Sequence, residues 1–282
     1  MLRSLNYLLN TPYNRLHPIS ALARFFEWKI IKLLKLSDYK KRIWNNHFLM
    51  VNYDSVQSMW LMYNYIIDWE EFSLIKAIVK KEDICFDIGA NNGYYSVWLS
   101  LYGFVHSFEP NETSFNRLLQ NIKINEIKNV KANNFGIGKE KGTVEFTINK
   151  DIQNHILPGK SNFDSEEITI DTIDNYLLEK NIEKIKFLKV DVEGFEFDVL
   201  SGAKNALQNK KIEIIQLEIN NSIVNSGRTE IELLDLLNSY DYYLAKFDVE
   251  NNKLIEINFA ASRENYFAVY DICSLNKELF NS

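Results

Sequence analysis

The feature that most constrains the fold is Asp83-Ile-Cys-Phe-Asp-Ile-Gly89, a short apolar run that ends in glycine and passes directly into a helix-forming segment at residues 94–101. A run of this length without polar alternation predicts a strand buried on both faces, as in a parallel sheet. The pattern then repeats. Residues 104–109 predict a second strand closed by Pro110, residues 112–124 a second helix, and residues 129–135 a third strand. Further strands are predicted at 185–191 and 212–219, separated by a helix over 196–208 that Gly202 interrupts. Strands and helices alternating at this spacing predict an open α/β sheet with helices on both faces.

Other segments fill in around that frame. Residues 61–80 predict one helix ahead of the first strand. Residues 142–148 and 166–170 alternate as strands around a polar stretch with Pro158-Gly159, predicting a hairpin insertion over the sheet edge. Residues 171–179 predict a helix opened by an acidic cap, Asp171. Thr229 with Glu232 three residues on has capping-box spacing and predicts a helix to residue 239. Residues 242–248, 253–257 and 266–270 predict antiparallel edge strands.

Composition narrows the class. The chain is 46% hydrophobic and 25% charged over 282 residues, which excludes a disordered chain and allows a core that needs no staples. Two cysteines, Cys85 and Cys273, are too few for a disulfide scaffold, and a reducing cytoplasm is expected. The sequence has no uninterrupted apolar run of membrane-spanning length. Its first ten residues, broken by asparagine, are not expected to act as a signal peptide. A net charge of −6 argues against duplex nucleic acid as a partner. That charge is unevenly spread: residues 1–50 carry nine basic and two acidic side chains, net +7, and the remainder carries −13. Residues 1–59 are read as a basic helical arm and residues 60–282 as the main domain. Within the arm, residues 20–36 predict an amphipathic helix with the apolar row Leu22, Phe26, Ile30 and Leu33, and with Arg24, Lys32 and Lys35 on its other side. The row is expected to pack against the main domain, with contact to an anionic membrane surface as the alternative.

Four groups of polar residues fall at predicted carboxyl ends of strands, where open α/β sheets bind ligands. The turn Asp87-Ile-Gly-Ala-Asn-Asn-Gly-Tyr94 has glycines at 89 and 93, in neither dinucleotide nor P-loop spacing. Asp87 beside that turn would repel a phosphate and suits a cationic ligand. Glu109 stands where an acid receives ribose hydroxyls. Asn133-Asn134 offers amides for an adenine edge, and Asp191-Val-Glu-Gly194 brings a second pair of carboxylates.

These motifs, with Ser107-Phe-Glu-Pro110, Thr169-Ile-Asp-Thr-Ile-Asp174, Phe187-Leu-Lys-Val-Asp-Val-Glu-Gly194 and Leu200-x-Gly-Ala203, resemble the FkbM family of S-adenosylmethionine-dependent methyltransferases over residues 60–220. His106 departs from the aliphatic residue commoner in that strand. The resemblance implies a Rossmann-like class I fold, S-adenosyl-L-methionine as donor, and methylation of a hydroxyl, often on a sugar or polyketide-type product. It implies that Gly89 and Gly93, with Asn91 in the same turn, lie under the methionine portion. Asp87 and Asp191 would then face its amino group, Glu109 the ribose and Asn134 the adenine.

A sugar hydroxyl is a weak nucleophile at neutral pH and needs a base. Glu193 is the first candidate, with Asp191, His155 on the inserted loop, and Glu218 behind it. The acceptor is expected to be a small molecule or glycan. No metal-ligand spacing is distinctive, and none is assigned. Two alternatives stay open at this point: a nicotinamide-dependent oxidoreductase on the same type of sheet, and a non-catalytic binding protein.

Overall fold

A computed structural model of the chain describes residues 8–9, 11–147, 165–259 and 264–281. The chain divides into two units, Met1–Ser73 and Leu74–Ser282.

The first unit is only partly helical. It holds α1 (Pro12–Leu16), α2 (Pro18–Leu33), an antiparallel hairpin of β1 (Tyr39–Arg42) and β2 (Phe48–Val51), and α3 (Val56–Asn64). Pro18 at the first position of α2 gives up no helical hydrogen bond and fixes φ for helix entry. The single helix expected over 61–80 is two, α3 and α4 (Trp69–Ile78), because Tyr65 turns the backbone to φ +66° between them. The packing face of α2 also differs from expectation. Ala21, Phe25, Trp28 and Ile31 are buried, while Phe26, Ile30 and Leu33 of the expected row are exposed. Two apolar rows compete on this helix, and the one carrying Phe25 and the indole of Trp28 removes the larger area from water. Arg24, expected on the outer side, is buried with its guanidinium 5.1 Å from the Tyr65 ring centre. It donates to Ser20 Oγ at 2.7 Å and to Asn14 Oδ1, which partly offsets the cost of burying it. Among the described residues no helix is long and apolar enough to cross a membrane.

The second unit is an α/β domain around an eight-stranded sheet. Its parallel part comes from β3 (Ile84–Ile88), β4 (Phe104–Phe108), β5 (Val130–Asn133), β9 (Ile185–Val190) and β10 (Ile212–Ile219). Spatially these run β5, β4, β3, β9, β10. β13 (Glu264–Val269), β11 (Tyr243–Asp248) and β12 (Lys253–Glu256) then continue the sheet antiparallel, as the late strands were expected to do. The connections carry α5 (Tyr94–Leu99), α6 (Glu112–Ile124), α7 (Ile173–Lys180), α8 (Glu196–Ser201), α9 (Lys204–Gln208) and α10 (Glu230–Ser239). A last helix, α11 (Ile272–Phe280), was not read from the sequence; Asp271 caps it by accepting from Ser274 N at 2.9 Å. The core is built from the fully buried faces of the central strands, with Phe86, Ile88, Leu188, Val190, Ile215 and Leu217 at its centre.

The insertion forms a separate three-stranded sheet. β8 (Ser165–Asp171) lies between β7 (Gly142–Thr147), antiparallel to it, and the short parallel β6 (Gly136–Ile137). The cap of α7 is Thr172, whose Oγ1 accepts from Asn175 N at 3.1 Å, and not Asp171. Asp171 is still sheet-paired with Ile137, so it cannot take the cap position. The capping box of Thr229 and Glu232 is present. From β3 the chain turns to β4 on one side, while β9 is added on the other. The carboxyl ends of β3 and β9 therefore border the point where strand order reverses, the place where such sheets open a crevice.

Candidate active site

At the end of β3 the chain turns sharply through Gly89-Ala-Asn-Asn-Gly93. The N–H groups of Gly89 and Ala90 both donate to the Phe108 carbonyl at 3.0 Å, tying this turn to the end of β4. Gly89 takes φ +79°, and a Cβ built on it would overlap the carbonyl oxygen of Asp191, so glycine is required by both backbone and space. Asp191 N in turn donates to Ile88 O at 3.1 Å, holding the ends of β3 and β9 together.

Glu109 closes the other side. It is almost fully buried; its Oε2 accepts from Asn91 N at 2.8 Å and its Oε1 from Asn111 N at 2.9 Å. Burial pushes its carboxyl up to about 7, against the pull of those two N–H groups. Asn134 is exposed, and its side-chain nitrogen donates to the carbonyls of Glu109 and Pro110 at 2.9 and 3.0 Å. It thus braces the backbone around Glu109.

Beneath the turn lies a buried polar layer. Asp87 is fully buried, and its Oδ2 accepts from Ser96 Oγ at 2.6 Å, which sits 2.7 Å from Ser107 Oγ. Lys189, the one basic side chain near this end of β9, donates to Asp191 Oδ2 at 3.0 Å and lies 3.8 Å from Asp87 Oδ1. Its ammonium rests 4.7 Å from the Tyr95 ring centre, and Tyr95 OH accepts from Gln216 Nε2 at 2.7 Å. Burial raises the Asp87 carboxyl; Lys189 and Ser96 pull it back down.

A second turn leaves β9 through Val192-Glu193-Gly194. Glu193 adopts φ +52° and Gly194 φ +103°. A Cβ on Gly194 would overlap the Ser222 carbonyl oxygen. Glu196, almost fully buried, accepts from Val192 N at 3.2 Å and Gly194 N at 3.1 Å through Oε1, and burial raises it to about 7. Glu193 is pushed up to about 8, by its own burial first and then by the negative charges of Asp191, Glu218 and Glu196. Glu218 lies half-buried on β10, opposite Asn265 of β13.

Asp87, Gly89, Asn91, Gly93, Glu109, Asn134, Asp191 and Glu193 thus gather at the carboxyl ends of β3, β4, β5 and β9, with Glu218 near the end of β10. Residues 87–244 match the methyltransferase FkbM domain family. The chain belongs to the FkbM methyltransferase family. It is similar to hexuronic acid methyltransferase AglP of Haloferax volcanii, at 26% identity over 210 residues covering 71% of this chain and 82% of that one. It is also similar to Methyltransferase 1 of Beauveria bassiana, at 26% identity over 41% of this chain and 56% of the relative. Among solved structures, an FkbM methyltransferase from Methylobacillus flagellatus is 18% identical over 67% of this chain and 44% of that chain, with TM-score 0.44. A TehB-like SAM-dependent methyltransferase from Corynebacterium glutamicum is 13% identical over 71% of this chain and 85% of that one, with TM-score 0.39.

The protein is therefore an S-adenosylmethionine-dependent methyltransferase, and the oxidoreductase and scaffold alternatives are set aside. The residues of this FkbM-family enzyme fit a cationic donor. Glu109, Asp191 and Glu193 bring three carboxyls to these turns, and the buried Asp87 Oδ1, 3.8 Å from Lys189 Nζ, accepts no hydrogen bond among the described residues. Bound there, the donor supplies a methyl group on a cationic sulfur. His155 lies outside the described residues. His106, by contrast, is placed away from this chemistry: its Nδ1 is 2.8 Å from Tyr176 OH, and burial lowers it to about 4. Among the described residues no cluster of three or more His, Cys, Asp or Glu could hold a metal.

Sequence reasoning assigned no role to Lys189, Ser96 or Glu196. Lys189 was legible as the single cation inside the apolar run of residues 187–190. Glu196 was not: only the fold brings its carboxylate back under the turn two residues before it.

Proposed function

We propose that this enzyme moves a methyl group to a hydroxyl oxygen of a sugar, with Glu193 as the base. The observation that carries this is the placement of Glu193: a carboxyl in an acidic cluster, raised to about 8, beside the donor-binding turns. A neutral hydroxyl needs its proton removed as its oxygen bonds to carbon, and a base whose pKa lies near the working pH does this best. An amine or thiolate acceptor has far less need of such a group. A sugar acid as acceptor is supported by AglP, a hexuronic acid methyltransferase by name.

In this reading Glu109 binds the ribose, and Asp191 with Lys189 sets the charge around the donor's amino acid portion. The Gly89–Gly93 turn packs against that portion, Asp87 acts from below it, and Asn134 stands at the adenine side. Glu193 accepts the hydroxyl proton at a carboxylate oxygen, and Glu218 flanks the acceptor. Holding acceptor and methyl carbon in line supplies about 7–11 kcal/mol of the barrier reduction in well-aligned systems. The test is radiolabelled methyl transfer to uronic-acid-containing oligosaccharides, with alkaline stability of the product identifying an ether. Transfer only to nitrogen or sulfur acceptors would sink the reading.

A further inference from the structure

The first unit carries an apolar surface that its own fold leaves uncovered. On α2 the residues Ile19, Phe26, Ile30 and Leu33 are 84, 62, 55 and 82% exposed. They recur at helical spacing, with Ala23 exposed and Leu22 half-buried between them, and so form one continuous stripe along a 16-residue helix. Leu34, just past the helix end, extends the stripe at 60% exposure. The opposite face is already occupied, since Ala21, Phe25, Trp28 and Ile31 are buried. A soluble surface rarely keeps so many large apolar side chains in one row without a partner.

What surrounds the stripe identifies the partner's charge. Lys29 and Lys32 are exposed along one flank, their ammonium groups 5.2 and 5.7 Å from the ring centres of Phe25 and Trp28. Arg15 and Lys35 stand exposed near the two ends. Glu27, the helix's one acidic residue, is already paired with Lys41. A helix with an apolar stripe, lysines at its border and no free acid matches an anionic lipid surface, with the stripe in the acyl boundary and the ammonium groups among headgroup phosphates. A second copy of this chain fits less well, because two such faces would bring their lysines together. The acidic remainder of the chain, at net −13, would be repelled by the same surface, so attachment is confined to this patch.

We infer that α2 docks this enzyme on an anionic membrane surface through the Ile19–Leu33 stripe and its flanking lysines, independently of which acceptor the active site takes. The full chain is tested by co-sedimentation with phosphatidylcholine vesicles, with and without phosphatidylglycerol. Binding is expected to the anionic vesicles only, and to fall as salt rises. The pair Phe26→Glu and Ile30→Glu should abolish it while calorimetric affinity for S-adenosylhomocysteine stays unchanged. Lys29→Gln with Lys35→Gln, which alters only exposed side chains, should weaken it about 30-fold. No sedimentation with anionic vesicles at low salt, equal sedimentation with neutral ones, or undiminished binding by either variant overturns the inference. So does a dimer in the absence of lipid that Phe26→Glu dissolves.

Discussion

The two turns that frame the crevice are built on one plan. Each leaves the carboxyl end of a central parallel strand, β3 or β9. Each contains a glycine at positive φ, Gly89 or Gly194, whose missing Cβ makes room for a carbonyl of another segment. Each has backbone N–H held by a buried glutamate, Glu109 taking Asn91 N in the first and Glu196 taking Val192 N and Gly194 N in the second, and both acids are raised to about 7. The first turn has a second glycine at positive φ, Gly93 at φ +86°, and the two turns differ at their left-handed residue that is not glycine. In the first turn it is Asn91 at φ +48°, a residue type that tolerates that region; in the second it is Glu193 at φ +52°, which does not. A long acidic side chain is thus kept where asparagine or glycine would be easier. Backbone strain of this kind collects where a side chain must be presented for chemistry.

The shared plan is broken most severely through the glycines. Gly89→Ala and Gly194→Ala each combine positive φ with overlap against a backbone carbonyl, which cannot move as a flexible side chain would. Each should destabilise the domain by about 3–5 kcal/mol in urea unfolding. Gly227, with φ +70° and nothing near its absent Cβ, provides the control: Gly227→Ala should lose only about 1 kcal/mol. A small effect at either turn glycine would show that the two strand ends do not approach as described.

The difference between the turns is tested by activity. Glu193→Gln should lower kcat by about 10²–10³-fold with near-normal donor affinity, whereas Asn91→Ala should change donor affinity more than kcat. The pH dependence adds a sign. For the free enzyme, kcat/KM for the acceptor-limited reaction should rise with pH through about 8 as Glu193 loses its proton. The cationic donor favours the carboxylate, so the corresponding pKa in kcat should be lower. A pKa that does not fall on donor binding would place Glu193 away from the sulfonium charge.

How far this was legible in the sequence follows from the same turns. The parallel sheet was readable because its strands are buried on both faces, and nothing but a short apolar run fits that environment. The glycines and Glu109 were readable because they follow strands directly. What escaped were features set by three-dimensional return of the chain. The apolar rows of α2 are both sound amphipathic patterns, and only packing decides that Phe25 and Trp28 go in while Phe26 and Ile30 stay out. Asp87 reads as a carboxylate beside a turn, and its burial against Ser96 and Lys189 is set by the fold alone. The helix α11 was legible, with Asp271 as its cap and Leu275 and Leu279 as its buried row, and went unread; the short strands β1 and β2, with Lys40, Lys41 and Arg42 in the first, carry too little apolar alternation to declare themselves.

The two buried glutamates respond differently to loss of charge. Glu109 accepts through both oxygens, one from Asn91 N and one from Asn111 N, so Glu109→Gln must turn an amide NH₂ towards a donor. Glu196 takes both turn N–H groups on Oε1, and Glu196→Gln can keep that oxygen in place. The first substitution should destabilise by about 1–2 kcal/mol and the second by less than about 1 kcal/mol. Both acids have folded pKa values above their unfolded ones. Each therefore contributes stability that is complete below about pH 4.5 and is lost as pH rises towards about 7. Glu196→Gln should flatten that decline. Equal losses in the two variants would mean the oxygens are not used as described.

The smallest effect separates strain from charge at Glu193. Glu193→Asn places in the second turn the residue type the first turn already uses, and it should abolish methyl transfer while raising stability by up to about 1 kcal/mol. Two causes contribute, and pH divides them. Relief of backbone strain is independent of pH. Removal of the raised carboxyl matters only where that carboxyl loses its proton: its folded value of about 8 means it weakens the native state progressively from about pH 4.5 upwards. A gain present near pH 4.5 and larger near pH 8.5 is expected. A gain seen only at the higher pH would assign the whole penalty to crowding of Asp191, Glu218 and Glu196, and would leave φ +52° at Glu193 without an energetic price.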